Sequence, residues 1–230
     1  MLTKAELYYD FVSQPCRAVM SLVELTGLSD IVGFRHAPVM NDFVRSDEYT
    51  LLNPNQKVPF YHDSDVRLFE SGAIMRYLCG NHLPASHPMY PRDQPQATAQ
   101  VELALQVYHK CARYSSRYFF AVVRSKVSGR IFDLKGEASQ AYVICKLLDT
   151  WISEHGGRMV GPDQWNIADL LIFHEIMNLN MAEEFSLNNK NLPNLHAFLK
   201  DFTKTKGLGM SVAKLRTELE DAGKNVEIAS

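Results

Sequence analysis

AELYYDFVSQPCRAVMSLVEL, residues Ala5 to Leu25 of a 230-residue chain, changes its period halfway along. Leu7, Tyr9 and Phe11 alternate with polar or amphipathic neighbours, as a half-buried strand does. The alternation stops at Ser13-Gln14-Pro15. Proline fits no strand interior, but its fixed φ and missing N–H suit the first turn of a helix, and Cys16, Val19, Met20 and Val23 then recur at helical spacing. Ser13 therefore falls in a strand-to-helix turn. Unpaired N–H groups and the helix dipole favour negative charge there. A serine in this position either caps the helix or lends its hydroxyl to a bound anion, and the stretch by itself allows both.

Working outward, Thr26-Gly27-Leu28-Ser29 reads as the end of this helix. Ile31 to His36 is a second strand, and Asp42 to Thr50 holds a short helix. Val58 to His62 and Val66 to Phe69 form a hairpin across Asp63-Ser64-Asp65. Ser71 is the expected N-terminal cap of a helix through Ala73, Ile74, Tyr77 and Leu78. The order β-α-β-α-β-β-α predicts a small mixed sheet with helices on its faces. Pro84 to Pro95 carries four prolines in twelve residues and reads as a linker. Beyond it the strand signal vanishes. Ala97 to Val123, Glu137 to Glu154, Ile167 to Leu179, Asn194 to Lys204 and Met210 to Ala222 read as helices, so an all-helical second domain over residues 96–230 follows the first, residues 1–83.

Composition removes several function classes. Lys and Arg total 24 against 26 Asp and Glu, a net charge of −2, which gives no general pull toward nucleic acid or anionic membrane. Cys16, Cys79, Cys111 and Cys145 are far apart, and three of them lie on apolar helical faces. They read as buried, reduced thiols, and with an N-terminus lacking a signal-peptide core they place the chain in the cytoplasm. The eight histidines show no metal-ligand spacing, so no metal is expected.

Ser-Gln-Pro-Cys-Arg-Ala after the first strand, Lys-Val-Pro at the third and Glu-Ser before the third helix, in this order and ahead of a helical domain, resemble the cytosolic glutathione transferases, and most closely their theta class. The resemblance spans nearly the whole chain. It implies an α+β fold with an N-terminal thioredoxin-like βαβαββα domain and an all-α second domain, assembled as a homodimer. It further implies glutathione as co-substrate, a small hydrophobic electrophile as the second substrate, no other cofactor and no membrane insertion.

Residue by residue, the resemblance makes Ser13 the catalytic hydroxyl. Val58-Pro59 matches a Val-Pro whose proline is cis, which lets Val58 pair with the cysteinyl amide of glutathione as an added strand. Glu70 and Ser71 match the pair that holds the γ-glutamyl ammonium and carboxylate. Lys57 matches a residue on the glycine carboxylate. Val44 stands where the theta class tends to carry a histidine, and Arg45 is the expected substitute. Glu102 matches an acidic residue that reaches a partner subunit's ligand. Tyr108, Cys111, Ala112 and Ser115, on one face of the long helix, are the candidate acceptor wall. Asn166-Ile167-Ala168-Asp169 matches the family's capping box, with Asn in the capping place.

A free thiol with a pKa near 8.5 is only a few per cent thiolate at pH 7, so a hydrogen bond to bound sulfur is the expected device. Tyr9 is an alternative donor, because the tyrosine-using classes place their hydroxyl there. Two rival expectations remain. Ser13 to Cys16 occupies the place of a Cys-x-x-Cys redox motif, but lacks its first cysteine. The chain could also serve as a non-catalytic dimerising or docking module, a reading that Val44 and the Asn cap favour.

Overall fold

A computed structural model describes residues 5–39, 42–128, 131–180, 185, 187 and 191–205. Its four-stranded sheet comprises β1 (Ala5–Tyr9), β2 (Val32–His36), β3 (Phe60–His62) and β4 (Arg67–Phe69), ordered β2-β1-β3-β4. β2 runs parallel to β1 because α1 (Gln14–Leu25) crosses between them, whereas β3 and β4 form an antiparallel hairpin. Asp63 closes that hairpin by accepting bonds from the N–H groups of Asp65 and Val66 at 2.8 and 2.9 Å.

Alternation along β1 sorts the core. Leu7 joins Tyr61 with the apolar faces of α1 and α3 (Ser71–His82), while Tyr8 turns to the other face, with Phe60, Val44 and Tyr49 of α2 (Asp47–Leu52). Val44, at the histidine's place, is thus core.

The second part consists of α4 (Pro95–Ser128), α5 (Leu134–Glu154), α6 (Ile167–Asn180) and α7 (Pro193–Lys204). The predicted helix at Met210 to Ala222 lies outside the described residues. α6 is buried nearly all round and packs against both α4 and α1, which makes it the element joining the two parts. Its start forms the expected box. Asn166 Oδ1 accepts from the N–H of Ala168 at 2.9 Å, and Asp169 Oδ2 accepts from the N–H of Asn166 at 3.0 Å.

Several boundaries depart from the sequence reading. α4 runs Pro95–Ser128 where Ala97 to Val123 is expected, and α5 starts at Leu134 and not Glu137. Asp42 to Thr50 divides into a 3-10 turn at Asp42–Arg45 and α2. Two further departures touch the end of the sheet. The third strand begins at Phe60 and not at Val58, since the preceding residues enter through a cis Val58–Pro59 bond. Glu70, not Ser71, occupies the cap position of α3, and Ser71 is its first helical residue. Among the described residues no helix is long and apolar enough to cross a membrane, and no cluster of metal-ligating side chains occurs.

Candidate functional site

Strand register gathers three segments at one end of the sheet. Tyr8 pairs with Phe60 and Phe60 with Phe69, so the chain after β1, the chain before β3 and the chain after β4 emerge together. These segments carry Ser13, Lys57 to Pro59, and Glu70 to Ser71. α1 and α3, which start from two of them, lie side by side.

The two helix starts share a feature. Ser13 occupies the cap position of α1 with extended backbone, yet its side chain makes no capping bond. Its hydroxyl lies instead beside the Cys16 thiol, which burial pushes up to about 12 although Ser13 and the Asp10 backbone pull it down. Glu70 caps α3 with φ of 72° and ψ of 110°, also without a side-chain bond. A non-glycine residue held at positive φ costs about 1–3 kcal/mol and is found where surrounding structure imposes it, often at ligand sites. By contrast, Ser46 of α2 and Asp133 of α5 each accept a backbone N–H, from Tyr49 and Gly136.

Around these starts the backbone is held firmly. Asp10 is buried and receives the N–H groups of Val12 at 2.9 Å and Val39 at 2.8 Å, while its carbonyl accepts from Ser13 N at 3.1 Å. The Lys57 carbonyl accepts from Tyr49 Oη at 2.8 Å and Asn53 Nδ2 at 2.7 Å, leaving the Lys57 side chain exposed. Val58 is half-buried and Pro59 buried. Ser71 is buried beside the phenol of Tyr108, whose own ionisation burial suppresses.

Other predicted residues stand elsewhere. Tyr9 packs its ring on Phe11, Phe34 and His36, at centroid distances of 5.0, 5.9 and 5.7 Å, and so leans toward β2. Arg45 is exposed and pairs with Asp42 at 3.0 Å. Glu102 is spoken for within its own chain: Oε1 accepts from Arg76 Nε at 2.6 Å and Tyr90 Oη at 2.8 Å, and Oε2 accepts from Arg76 Nη2 at 2.6 Å. Arg76 and Tyr90 hold its carboxyl below the usual range, against burial.

The expected acceptor wall needs correcting. Cys111 and Ser115 are interior, with Ser115 Oγ donating to the buried Glu175 at 2.5 Å, Tyr108 is buried, and only Ala112 is half-exposed. Their helical face was identified, but the burial of α6 against it could not be read from α4 alone. The open side of α4 lies one residue on. A groove of about 360 Å³ is lined there by Ser116, Arg117, Phe120 and Arg124, with Phe132 and Glu137 opposite. Cys16 is also fully buried, which removes the thiol that a redox reading requires.

From the sequence alone, Arg17 and the α6 residues His174, Glu175 and Asn178 receive no role. Arg17 is almost wholly buried and donates to the Phe11 carbonyl, to His174 Nδ1 at 3.4 Å, to the His174 carbonyl at 3.3 Å and to Asn178 Oδ1 at 2.6 Å. His174 Nε2 meets Ser21 Oγ at 2.9 Å, and burial followed by the Arg17 charge keeps this imidazole neutral. Nothing in a lone Arg of a helix signals His174 and Asn178 as partners, which are more than 150 residues distant.

Residues 7–80 match the family model for the glutathione S-transferase N-terminal domain. Glutathione S-transferase T1 of Arabidopsis thaliana is 29% identical over 189 residues, covering 80% of this chain and 76% of that protein. Human glutathione S-transferase theta-1 is 29% identical over 187 residues, covering 75% and 72% respectively. The solved apo form of human glutathione S-transferase T1-1 carrying W234R superposes with a TM-score of 0.82 at 25% identity, over 98% of this chain and 93% of that one.

Proposed function

We propose that this chain is a theta-like glutathione S-transferase, a reading supported by the family-model match over residues 7–80 and by its theta-class relatives, and that it activates the thiol of glutathione through Ser13 and passes the sulfur to a small electrophile. The observation that carries the assignment of residues is the pair of helix starts without side-chain caps, α1 and α3, brought to one end of the sheet. A ligand with an acidic thiol and a zwitterionic γ-glutamyl end meets complementary groups at both.

In this reading Ser71 and the α3 start take the γ-glutamyl carboxylate, and Glu70 takes the ammonium. Val58 offers its backbone to the cysteinyl amide beside Pro59, and the exposed Lys57 meets the glycyl carboxylate, with the exposed Arg45 as its second cation once released from Asp42. Ser13 donates to the sulfur. A hydrogen bond to a charged acceptor is worth about 1.5–3 kcal/mol, or one to two pKa units, which turns a thiol of pKa near 8.5 into a substantial thiolate fraction at pH 7. The thiolate then attacks an electrophilic carbon and expels its leaving group. An organic hydroperoxide is the second electrophile class, since the same thiolate can break its O–O bond.

We assign the acceptor to the groove along α4. Ser116 lies at its inner end and accepts from Gln14 Nε2 at 3.4 Å, next in sequence to Ser13. The homodimer fits the exposed Phe69 and Leu103, at 49% and 48%, and a cytoplasmic setting fits four unpaired, buried cysteines.

Calorimetry tests the function and ultraviolet difference absorbance tests the residue. Glutathione is expected to bind the wild-type protein and to show a thiolate band, which Ser13→Ala loses and Tyr9→Phe keeps. Absence of any heat of glutathione binding overturns the transferase reading, and loss of the band in Tyr9→Phe alone moves the role to Tyr9.

A further inference from the structure

Ser13 is bracketed from the second domain. On its N-terminal side, the carbonyl of Phe11 is held by Arg17, whose remaining donors go to His174 and Asn178 of α6. On its C-terminal side, Gln14 Nε2 donates to Ser116 Oγ at 3.4 Å, and Ser116 Oγ donates at 2.8 Å to Glu175, also of α6. Arg17, Gln14, His174, Glu175 and Asn178 are all at most 5% exposed. One and a half turns of a single helix thus fix both flanks of a turn that belongs to the other domain.

The hydroxyl between those flanks makes no capping bond to a helix N–H and rests against the Cys16 thiol. Its direction follows from that contact and from the backbone of the turn, which is held by Arg17 and by the Gln14–Ser116–Glu175 relay. From this geometry we infer that Arg17 and Glu175 are positioning residues: through the turn they aim Ser13 at the bound sulfur, so that α6 controls how acidic that sulfur becomes. The inference rests on Ser13 as the donor. It extends that reading by making thiol activation a property of the joint between the domains. Breaking the joint is expected to raise the thiol pKa while leaving the γ-glutamyl contacts, and therefore most of the glutathione affinity, in place.

The readout is the pKa of enzyme-bound glutathione, followed by thiolate absorbance against pH. Ser116→Ala cuts the relay at a half-buried position with little risk to folding. Arg17→Lys keeps the charge but cannot reach all of Phe11, His174 and Asn178. Each is expected to raise the pKa, by about half a unit and about one unit respectively, within the one to two units that a bond to charged sulfur supplies. Each is also expected to lower kcat/KM near pH 7 with a glutathione Kd within about twofold. Glu175→Gln, which still accepts from Ser116, is expected to retain the wild-type pKa.

The decisive arm is the double variant. Added to Ser13→Ala, neither Ser116→Ala nor Arg17→Lys should move the thiol pKa further, because there is no hydroxyl left to aim. A shift of the same size in the Ser13→Ala background shows that the groups act on the sulfur by charge or by general loosening, and overturns the inference. So does an unchanged pKa in both single variants. If Ser13→Ala itself leaves the pKa alone, the failure lies with Ser13 as donor, and the two failures are told apart.

Discussion

The start of α1 and the start of α6 are built from similar residues and used in opposite ways. At α6, every polar atom of Asn166 and Asp169 is turned inward: Asp169 Oδ1 accepts from Met159 N at 2.8 Å, Oδ2 from Asn166 N and Nδ2, and Asn166 Oδ1 from the N–H groups of Ala168 and Asp169. At α1, Ser13 gives no side-chain bond to a helix N–H and meets the Cys16 thiol, and at α3 Glu70 makes no capping bond. A polar residue before a helix is a folding signal when its oxygen closes on the helix N–H groups, and a ligand signal when those groups are left open. Sequence alone scores the two alike, because cap preference describes residue type and not where the oxygen points.

The largest effect is expected at the closed end. Asp169→Ala leaves three N–H donors without partners in a fully buried place. With a penalty of about 1–3 kcal/mol for each buried, unpaired group, partly relieved by relaxation, we expect a loss of about 3–5 kcal/mol. Urea denaturation measures it. Molecules that do fold should bind glutathione normally, and a midpoint close to wild type would remove the distinction between the two kinds of start.

The open end should respond the other way. Glu70 pays for its positive φ in the absence of ligand, so Glu70→Gly is expected to be neutral or to stabilise by up to about 1 kcal/mol, while glutathione affinity falls about tenfold with the lost ammonium contact. Thermal melting and calorimetry on one preparation read both. A variant that is destabilised without losing affinity would make Glu70 structural.

A smaller contrast separates two serines of the same domain. Ser46 accepts from Tyr49 N at 3.2 Å, so Ser46→Ala is expected to cost about 1 kcal/mol. Ser13→Ala should cost close to nothing in stability, since no N–H loses a partner. Equal losses in the two variants would mean that Ser13 caps α1 in solution.

The difference between these regions also marks what could be read in the chain. The switch of period at Pro15, the hairpin around Asp63 and the Asn166–Asp169 box depend on neighbours a few residues away, and each stands where the residues put it. The orders of strands and helices follow from the same local signals. Arg17, Glu102 and the face of Cys111 and Ser115 depend on α6 or α3, which approach them only in the folded chain. A helical arginine and a helical glutamate both look solvated in sequence. Burial of Arg17 and the Arg76 partner of Glu102 are tertiary facts. Glu70 taking the cap position from Ser71 is a shift of one residue, the usual margin at a helix end.

Glu102 offers the last and mildest test, because the resemblance and the geometry give it different tasks. A residue that serves a neighbouring subunit's ligand should affect glutathione affinity when neutralised. A residue that ties α3 to α4 through Arg76 and Tyr90 should affect stability instead, and modestly, since the pair is about one-third exposed and screened by water. Its folded pKa is depressed, chiefly by Arg76, so the folded state releases this proton more readily than the unfolded chain. The stabilisation is therefore complete above the unfolded value, near pH 4.3, and disappears as pH falls through the depressed folded value. We expect the stability gap between wild type and Glu102→Gln to be level above about pH 5 and to close in more acid solution, with glutathione affinity the same in both proteins. A gap that ignores pH, joined to weaker glutathione binding, would return Glu102 to the task that the resemblance implies.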